Sequence, residues 1–385
     1  MIKFIHKRSS YLHGESMITT KRILSLLLIL IMVLTLTSCG NNDTKEQNTQ
    51  SNTPDENENS EIENISPKKP LEKVGMVTDS IGLEDNSINF DANRGLREFS
   101  EFNEVEIEVK VPTNQDRYER EIDNLANNGN DLIWMIGYAF SDLAKSSAIE
   151  YQDTKFAIIE SVYNEKNMPY NLTAIMFKMQ EPSYLAGYIG AYSTETNKLG
   201  FVGGIKGTVI DQYEYGFRAG VLDASKELKK EITVDVQYVE SFSDKSKGSQ
   251  IADSMYDEGV DIIYQAAGLS GVGVIESATS NKKFAIGSDQ DQSILAPKNV
   301  IASSVKKADV VIKDVSLRIK NNEDIGAKNI EYGLKESGVG VVLSTGENSI
   351  LNPGVYDKAI QIQKEIAEGR IIPPFNEKSF DKYQK

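Results

Sequence analysis

The chain has 385 residues, 39% of them hydrophobic, and a formal net charge of −15. This length and composition suit a globular protein of two domains, and the negative charge argues against a nucleic-acid partner. The one cysteine is Cys39 and the two histidines are His6 and His13, so no disulfide can form within one chain.

The first long apolar segment is Ile23–Leu36, which directly follows Lys21 and Arg22. A membrane-spanning helix needs roughly 20 apolar residues, and this run is shorter. It therefore predicts a secretory signal peptide over residues 1–38. Met17 opens an n-region of conventional length, so we expect translation to start either at Met1 or at Met17.

The segment that ends this run, Leu36–Gly40, resembles the lipobox of bacterial lipoproteins. A Leu stands three residues before Cys39, with small residues between them and a Gly after. The resemblance implies that Cys39 carries a lipid and becomes the mature N-terminus, at the extracytoplasmic face of the cell membrane. The alternative is a signal anchor with an incidental cysteine.

The predicted mature chain has no histidine and no unmodified cysteine. This excludes Ser-His-Asp and Cys-His catalysis, and zinc sites built from His or Cys ligands. The formal charge becomes about −19, because residues 1–38 hold five basic residues and one acidic residue. Residues 39–71 are rich in Asn, Asp, Glu, Ser and Thr, which predicts a lipidated, disordered tether.

From Lys73 onward, short β-rich runs alternate with helical runs. The first series of predicted strands is Val74–Thr78, Val105–Val111, Asp131–Ile136, Phe156–Ile159 and Leu172–Phe177. The helices predicted with them are Asp91–Phe99, Tyr118–Asn127, Ser141–Ile149 and Ser183–Ala191.

The same alternation then restarts. The second series of predicted strands is Leu199–Val202, Val234–Val239, Asp261–Gln265, Phe284–Gly287, Val300–Ser303 and Val339–Leu343. The helices predicted with them are Gln212–Leu228, Gly248–Asp257, Val272–Ala278, Ala308–Ile319 and Val355–Ala367.

Two successive series of this kind predict an α/β protein with two Rossmann-like parallel-sheet lobes. We expect lobe 1 over residues 72–195 plus part of the C-terminal region, lobe 2 over residues 196–300, and crossover and C-terminal elements over residues 301–385. Ligands of such sheets bind beyond the carboxyl ends of the strands. The residues that follow strands are therefore the candidates for a site.

Polar residues follow the first strand. Asp79 comes directly after it, and Asn89 stands just before the helix. A carboxylate accepts hydrogen bonds and an amide both donates and accepts, so the two could hold ligand hydroxyls or base edges. In the alternative interpretation, Asp85, Asn86 or Ser87 in this turn caps the helix.

A glycine-rich turn, Ala266–Gly273, opens a helix after the strand Asp261–Gln265. Glycines such as Gly268 let a ligand approach free backbone N–H groups there. The spacing matches neither a dinucleotide fingerprint nor a phosphate-binding loop. We therefore expect no cofactor.

Asp289 and Asp291 follow the strand Phe284–Gly287, and Lys306 follows the next strand. Two carboxylates in one cleft suit either the binding of a sugar diol or paired-carboxylate hydrolysis. Binding requires fewer assumptions, so we expect no enzymatic activity. Phe242 and Tyr138 also follow strands, where each either contacts a ligand or packs in the core.

Taken in order from Lys73 to Gly369, the chain resembles the basic membrane protein family of substrate-binding lipoproteins, which includes purine-nucleoside receptors of ABC importers. The matching segments are Val77–Asp79, Ser87–Asn89, Asp131–Trp134, Ile136–Tyr138, Glu181–Gly187, Gly200–Gly204, Gly216–Gly220, Ile263–Gly268, Ile286–Asp291 and Ser303–Lys306. The resemblance implies a type I periplasmic-binding-protein fold, in which two lobes joined by crossover strands close on a small-molecule ligand. It also implies an ABC permease as partner, and we expect a monomer.

In nucleoside-binding members of this family, two Phe rings sandwich the purine, while acidic residues and a Lys hold base and ribose. By position, the resemblance implies stacking by Phe90 and Phe242. The polar contacts it implies come from Asp79, Asn89, Glu181, Gly268, Asp289 and Lys306. Many members have Phe where this chain has Ile88, and Tyr138 replaces a frequent Phe, so purine stacking here depends on Phe90.

Three alternatives stay open. The first is a sugar or autoinducer-type receptor of the same fold, against which an intact aromatic pair would argue. The second is a carboxylate-dependent hydrolase of nucleosides or glycosides, which predicts turnover. The third is a surface adhesin or sensor that binds a macromolecule, which predicts no stabilisation by small ligands.

Overall fold

The computed structural model describes residues 70–83, 87–344, 351 and 353–385. These residues all fall within one compact unit. The predicted signal peptide, Cys39, nearly all of the predicted tether, and Asp85 and Asn86 lie outside the described residues.

The described part of the chain contains twelve β-strands and ten α-helices. The strands are β1 (Lys73–Thr78), β2 (Glu106–Lys110), β3 (Leu132–Ile136), β4 (Lys155–Ile159), β5 (Leu172–Phe177), β6 (Lys198–Gly203), β7 (Thr233–Tyr238), β8 (Ile262–Ala266), β9 (Phe284–Asp289), β10 (Val300–Lys306), β11 (Lys328–Tyr332) and β12 (Val339–Leu343). The helices are α1 (Ile88–Asn103), α2 (Tyr118–Asn127), α3 (Ser141–Glu150), α4 (Gln180–Ser193), α5 (Thr208–Leu228), α6 (Lys245–Asp257), α7 (Leu269–Ser280), α8 (Ala308–Lys320), α9 (Pro353–Ala367) and α10 (Glu377–Tyr383).

The strands form two six-stranded sheets. The first sheet has the order β11-β5-β4-β3-β1-β2 and is parallel throughout. The second has the order β12-β10-β9-β8-β6-β7, with only β12 antiparallel to its neighbour β10. Helices cover the sheets, so the inner strands are continuously apolar, as in β3, whose five residues are all buried.

The chain crosses between the two sheets three times. The crossings are Lys178–Met179 between β5 and α4, Lys307 between β10 and α8, and Gly333–Gly338 between β11 and β12. The segment after each crossing packs on the lobe it enters, since α4 packs on β10 and β12 while α8 packs on α1. Three crossings of this kind join two α/β lobes into one fold.

These crossings correct the expected boundaries of the lobes. The helix α4 lies on the second sheet, although residues up to 195 were expected in lobe 1. The strand β10 belongs to the second sheet through Lys306, beyond the expected end of lobe 2 at residue 300. The reason is that α4 is buried over ten consecutive residues, Pro182–Ala191, so its pattern does not indicate which sheet it covers.

All the predicted strands and helices are present, the strands with ends within three residues of those predicted. The strand β11 and the helix α10 were missed. β11 has only two apolar residues, Ile330 and Tyr332, and α10 has seven residues in all. Trp134 is fully buried, and its Nε1 donates to Ser316 Oγ at 3.0 Å.

In the described part of the chain, no helix combines the length and the apolar composition that a membrane span requires.

Candidate ligand-binding cleft

A cavity of about 450 Å³ lies between the lobes, at the carboxyl ends of strands from both sheets. The first lobe contributes Asp79, Ile81, Ser87, Ile88, Asn89 and Glu160. The second contributes Gly268, Leu269, Val272, Ser288, Asp289, Gln290, Asp291, Gln292, Ile294, Leu295 and Lys306. Five of the nine residues predicted for binding are thus brought together: Asp79, Asn89, Gly268, Asp289 and Lys306.

Lys306 ends β10 and forms ion pairs with both lobes. Its Nζ lies 3.0 Å from Asp289 Oδ1 in the second lobe and donates to Glu160 Oε1 in the first. The side chain is only 10% exposed. Burial alone would lower the pKa of Lys306, but Asp289 and Glu160 outweigh burial and raise that pKa well above its ordinary value. The ammonium is therefore charged at neutral pH.

Asp289 ends β9 with a left-handed backbone (φ 69°), which turns the chain into the loop that follows. Its Oδ1 accepts from the Tyr213 hydroxyl and pairs with Lys306. Burial, together with the charge of Asp289, raises the pKa of Tyr213 well above its ordinary value, so that hydroxyl stays a donor. Both contacts use Oδ1, which leaves Oδ2 for other donors at the cavity wall.

Asp79 and Asn89 form a hydrogen-bonded pair on the first-lobe wall. Asn89 Nδ2 donates to Asp79 Oδ1 at 2.7 Å and to the Gly82 carbonyl at 2.9 Å, and Ile81 N donates to the same Asp79 oxygen at 3.1 Å. These bonds fix the orientation of the Asn89 amide. Its Oδ1 accepts no hydrogen bond from the described residues, although Asn89 is only 1% exposed. A buried acceptor without a donor is costly, and this one belongs to a cavity-lining residue.

The two predicted stacking residues do not line the cavity. Ser87 is the N-cap of α1, as in the capping interpretation, and its Oγ accepts from Phe90 N at 3.0 Å. Ile88 lines the cavity, and Phe90 follows two residues later, roughly 200° around the helix. The Phe242 ring packs against Gly204, where an added Cβ would lie 2.3 Å from Phe242 Cε1. The described lining residues include no aromatic side chain.

Two other predicted residues also lie away from the cavity lining. Tyr138, in a short 3-10 helix after β3, is 75% exposed. Glu181 Oε2 accepts from Leu334 N at 2.6 Å, which connects α4 to the third crossing. Burial raises the pKa of Glu181, and the Leu334 N–H opposes that shift. Glu181 thus holds a crossing segment in this structure.

Sequence reasoning missed Glu160, Gln290 and Gln292, which all line the cavity. Glu160 directly follows β4, so the rule that ligands bind beyond the carboxyl ends of strands does predict it. It adopts a left-handed backbone with φ 68°, which is uncommon for a residue other than glycine. Gln290 lies in the turn after β9 and Gln292 begins a three-residue 3-10 helix, and segments this short have no periodic pattern that predicts where a side chain points.

Two α/β lobes joined by three crossings, with a polar cleft between them, define the type I periplasmic-binding-protein fold. The fold resembles a solved ABC transporter solute-binding protein from Aeropyrum pernix K1, with a TM-score of 0.65 and 22% identity over 81% of this chain and 96% of that one. It also resembles a solute-binding protein from Conexibacter woesei, with a TM-score of 0.66 and 18% identity over 80% of this chain and 100% of that one. At these identities the likeness shows the fold alone.

The family described as ABC transporter substrate-binding protein PnrA-like, or Bmp, matches residues 72–377. The chain is 38% identical over 319 residues to Basic membrane protein A of Borreliella afzelii, covering 82% of this chain and 95% of the relative. It is 37% identical to Basic membrane protein A of Borreliella burgdorferi, covering 82% and 91%. The chain belongs to this family, and is a substrate-binding protein of the ABC-transporter type.

Proposed function

We propose that this protein is a lipid-anchored extracytoplasmic receptor of an ABC importer, and that it binds a purine nucleoside in the cleft between its lobes. The observation that carries the proposal is the set of directed polar groups from both lobes around one cavity, in a member of a substrate-binding family. The partners are a small-molecule ligand and an ABC permease, with the receptor a monomer. The lipid on Cys39 holds it at the membrane.

The polar groups of the cavity match the donors and acceptors of a nucleoside. Asp289 Oδ2 and the Asp79 carboxylate accept from ribose hydroxyls, since carboxylates accept only. Asn89 Oδ1, which accepts nothing from the described residues, accepts an N–H or O–H of the ligand. Lys306 donates to a ring nitrogen or carbonyl oxygen.

The charges of the cavity favour a ligand without phosphate. Four carboxylates line it, from Asp79, Glu160, Asp289 and Asp291, against the ammonium of Lys306 among the described residues. A like-charged phosphate would be repelled where the local dielectric constant is low. A neutral nucleoside therefore fits better than a nucleotide.

Aliphatic side chains, and not the predicted Phe pair, surround the polar groups. Ile88, Leu269, Val272 and Ile294 are among the cavity's lining residues. Such side chains can contact the faces of a purine ring, but they do not require an aromatic ligand. This observation also favours the second candidate, a sugar or autoinducer-type receptor of the same fold.

Ligand binding between lobes gives the permease a signal. A ligand that contacts both walls binds the closed arrangement better than the open one, and so shifts the population toward closure. Closure removes water from the cleft and strengthens the hydrogen bonds within it. The protein itself carries out no chemical step in this account, in keeping with a family of binding proteins.

Mass spectrometry of any ligand released when the purified protein is denatured tests the proposal. Thermal shifts with a panel of nucleosides and sugars complete the test. A ligand at 100 times its Kd stabilises the native state by ~2.7 kcal/mol, so the correct compound gives a clear shift. We expect a purine nucleoside in both measurements. A sugar in both would support the second candidate, and no ligand with no shift would contradict both.

A further inference from the structure

A buried amide, Gln265, lies behind the second-lobe wall of the cleft. It is 0% exposed, belongs to β8, and does not line the cavity. Its Nε2 donates to Gln292 Oε1 at 2.5 Å, and its Oε1 accepts from Ala267 N at 3.1 Å. One side chain therefore contacts both the turn that leads to Gly268 and the loop that follows β9.

Gln292 closes the turn that begins at Asp289, the last residue of β9. Its Oε1 also accepts from Ser288 N at 3.0 Å, and its backbone N–H donates to Ser303 Oγ at 3.1 Å. Residues 289–291 lie between the bonded positions Ser288 and Gln292, so the loop is held at both ends. Gln292 uses only its acceptor oxygen in these side-chain contacts.

Two glycines make room for the two amides. A Cβ at Gly271 would lie 1.7 Å from Gln265 Oε1, and one at Gly287 would lie 2.7 Å from Gln292 Oε1. Real atoms do not approach so closely, so a larger residue at either position would displace an amide. The close packing fixes Gln265 and Gln292 in one arrangement.

We propose that Gln265 is a positioning residue for ligand binding, which acts through Gln292 and Ala267 without contacting the ligand. It holds Asp289 in its left-handed conformation, which is unfavourable for a residue other than glycine and persists only where surrounding contacts fix it. A loop ordered before binding also spares the ligand the entropic cost of ordering it. The inference rests on the proposed function, because it assumes that the cleft binds a ligand.

Amide hydrogen exchange and calorimetry on the purified full chain test this role. Gln265→Met keeps the size of the side chain but removes its donor and acceptor. We expect exchange at Ala267 N–H and Ser288 N–H to accelerate at least tenfold relative to Ile263 N–H in β8. The Kd for the nucleoside is expected to rise at least tenfold. The comparison with Ile263 separates a local change from a global loss of stability, which would accelerate all three.

Two further variants test the direction of the hydrogen bonds. Gln292→Glu keeps an oxygen that accepts from both Gln265 Nε2 and Ser288 N, so protection of Ser288 is retained. Gln265→Glu keeps an oxygen that accepts from Ala267 N but places an acceptor against Gln292 Oε1, so we expect faster exchange at Ser288 N–H and not at Ala267 N–H. Ser316→Ala is the matched control, because it removes a buried hydrogen bond, from Trp134, in the other lobe. It should change neither the affinity nor the relative exchange at Ser288.

The inference is overturned if Gln265→Met binds the nucleoside as tightly as the wild-type protein, or if its Ser288 N–H exchanges at the wild-type relative rate. A wild-type protein that binds no nucleoside contradicts the proposed function instead. The affinity comparison is then made with the compound that mass spectrometry identifies, while the exchange comparison stands unchanged.

Discussion

Lys306 Nζ and the Tyr213 hydroxyl both contact Oδ1 of Asp289, so in the proposed function the ligand contacts the other oxygen, Oδ2. Asp289→Asn keeps the size of the side chain and removes its charge. A hydrogen bond to a charged group contributes about 1.5–3 kcal/mol, so we expect calorimetry to show a tenfold or greater loss of affinity. Asp257→Asn is the control, because it removes the charge of an exposed side chain in the same lobe. Equal affinities of Asp289→Asn and wild type would remove Asp289 from the site.

Ile88 occupies the cavity wall where an aromatic ring was expected. Ile88→Phe places a ring there, and stacking on a base contributes about 1–3 kcal/mol. We therefore expect tighter binding of purine nucleosides, by roughly fivefold or more, and no gain for sugars without a base. Paired titrations of the variant with a nucleoside and with its free pentose measure this difference. A loss of affinity for both ligands would show that Ile88 is needed for its shape.

Glu108 on β2 connects the first sheet to the segment after α2. Burial raises the pKa of Glu108, but hydrogen bonds from Lys110, Asn128 and Asn130 outweigh burial and lower that pKa to about 2. Because the folded pKa lies below the unfolded one, the carboxylate stabilises the fold above pH 4.5. This contribution is lost as the pH falls toward 2.

Glu108→Gln tests that linkage. At pH 7 we expect the variant to lose about 1 kcal/mol of unfolding free energy, discounted because the carboxylate is partly exposed to solvent. The difference from wild type should shrink between pH 4.5 and 2, as urea denaturation at several pH values would show. A difference that stays constant over this range would exclude the carboxylate as its source.

The sequence predicted cleft residues well where a residue directly follows a strand. It predicted them less well where the residue lies several positions beyond the end of the strand. Asp79 and Lys306 lie where the strand-end rule places them, and the rule extends to Glu160, which was overlooked. Phe90 and Phe242 lie outside the cavity lining in this structure, because α1 begins at Ile88 and the Phe242 ring packs against Gly204. The N-cap Ser87 is one of three capping residues that the local pattern left open, whereas the contact with Gly204 is a tertiary contact that no local pattern encodes.

Among the elements, α4 and α5 cross at unusually short range. A Cβ at Gly187 would lie 2.0 Å from the Phe217 carbonyl oxygen, whereas at Gly190, in the same helix, the nearest atoms are 3.5 Å away. Gly187→Ala therefore forces the helices apart, and overpacking of this kind costs about 1–3 kcal/mol. Gly190→Ala should be neutral or stabilise the fold, since Ala favours a helix interior.

Thermal denaturation of the two variants measures the contrast. We expect a lower Tm for Gly187→Ala and an unchanged or higher Tm for Gly190→Ala. Equal melting temperatures would mean that the helices separate without cost. The sequence predicted both helices, but not that α4 would cover the second sheet. A helix that is buried on all sides has no apolar face that indicates which sheet it packs on.

For the whole molecule, the alternation of strands and helices was sufficient to predict two parallel-sheet lobes. It was not sufficient to predict the crossings, because a crossing depends on which sheet the next helix covers. The third crossing was the hardest to foresee, because it leaves the short strand β11 and enters the antiparallel strand β12. The Lys306–Glu160 ion pair joins the lobes directly, so in the proposed function the residues that bind the ligand also connect the lobes that close on it.

Calorimetric titration of the purified, ligand-free protein with adenosine, guanosine and inosine measures whether the cleft binds a purine nucleoside. We expect saturable heat with one binding site per chain for at least one of them, and none for the corresponding nucleotides. No saturable heat with any of the three nucleosides would contradict the proposed function.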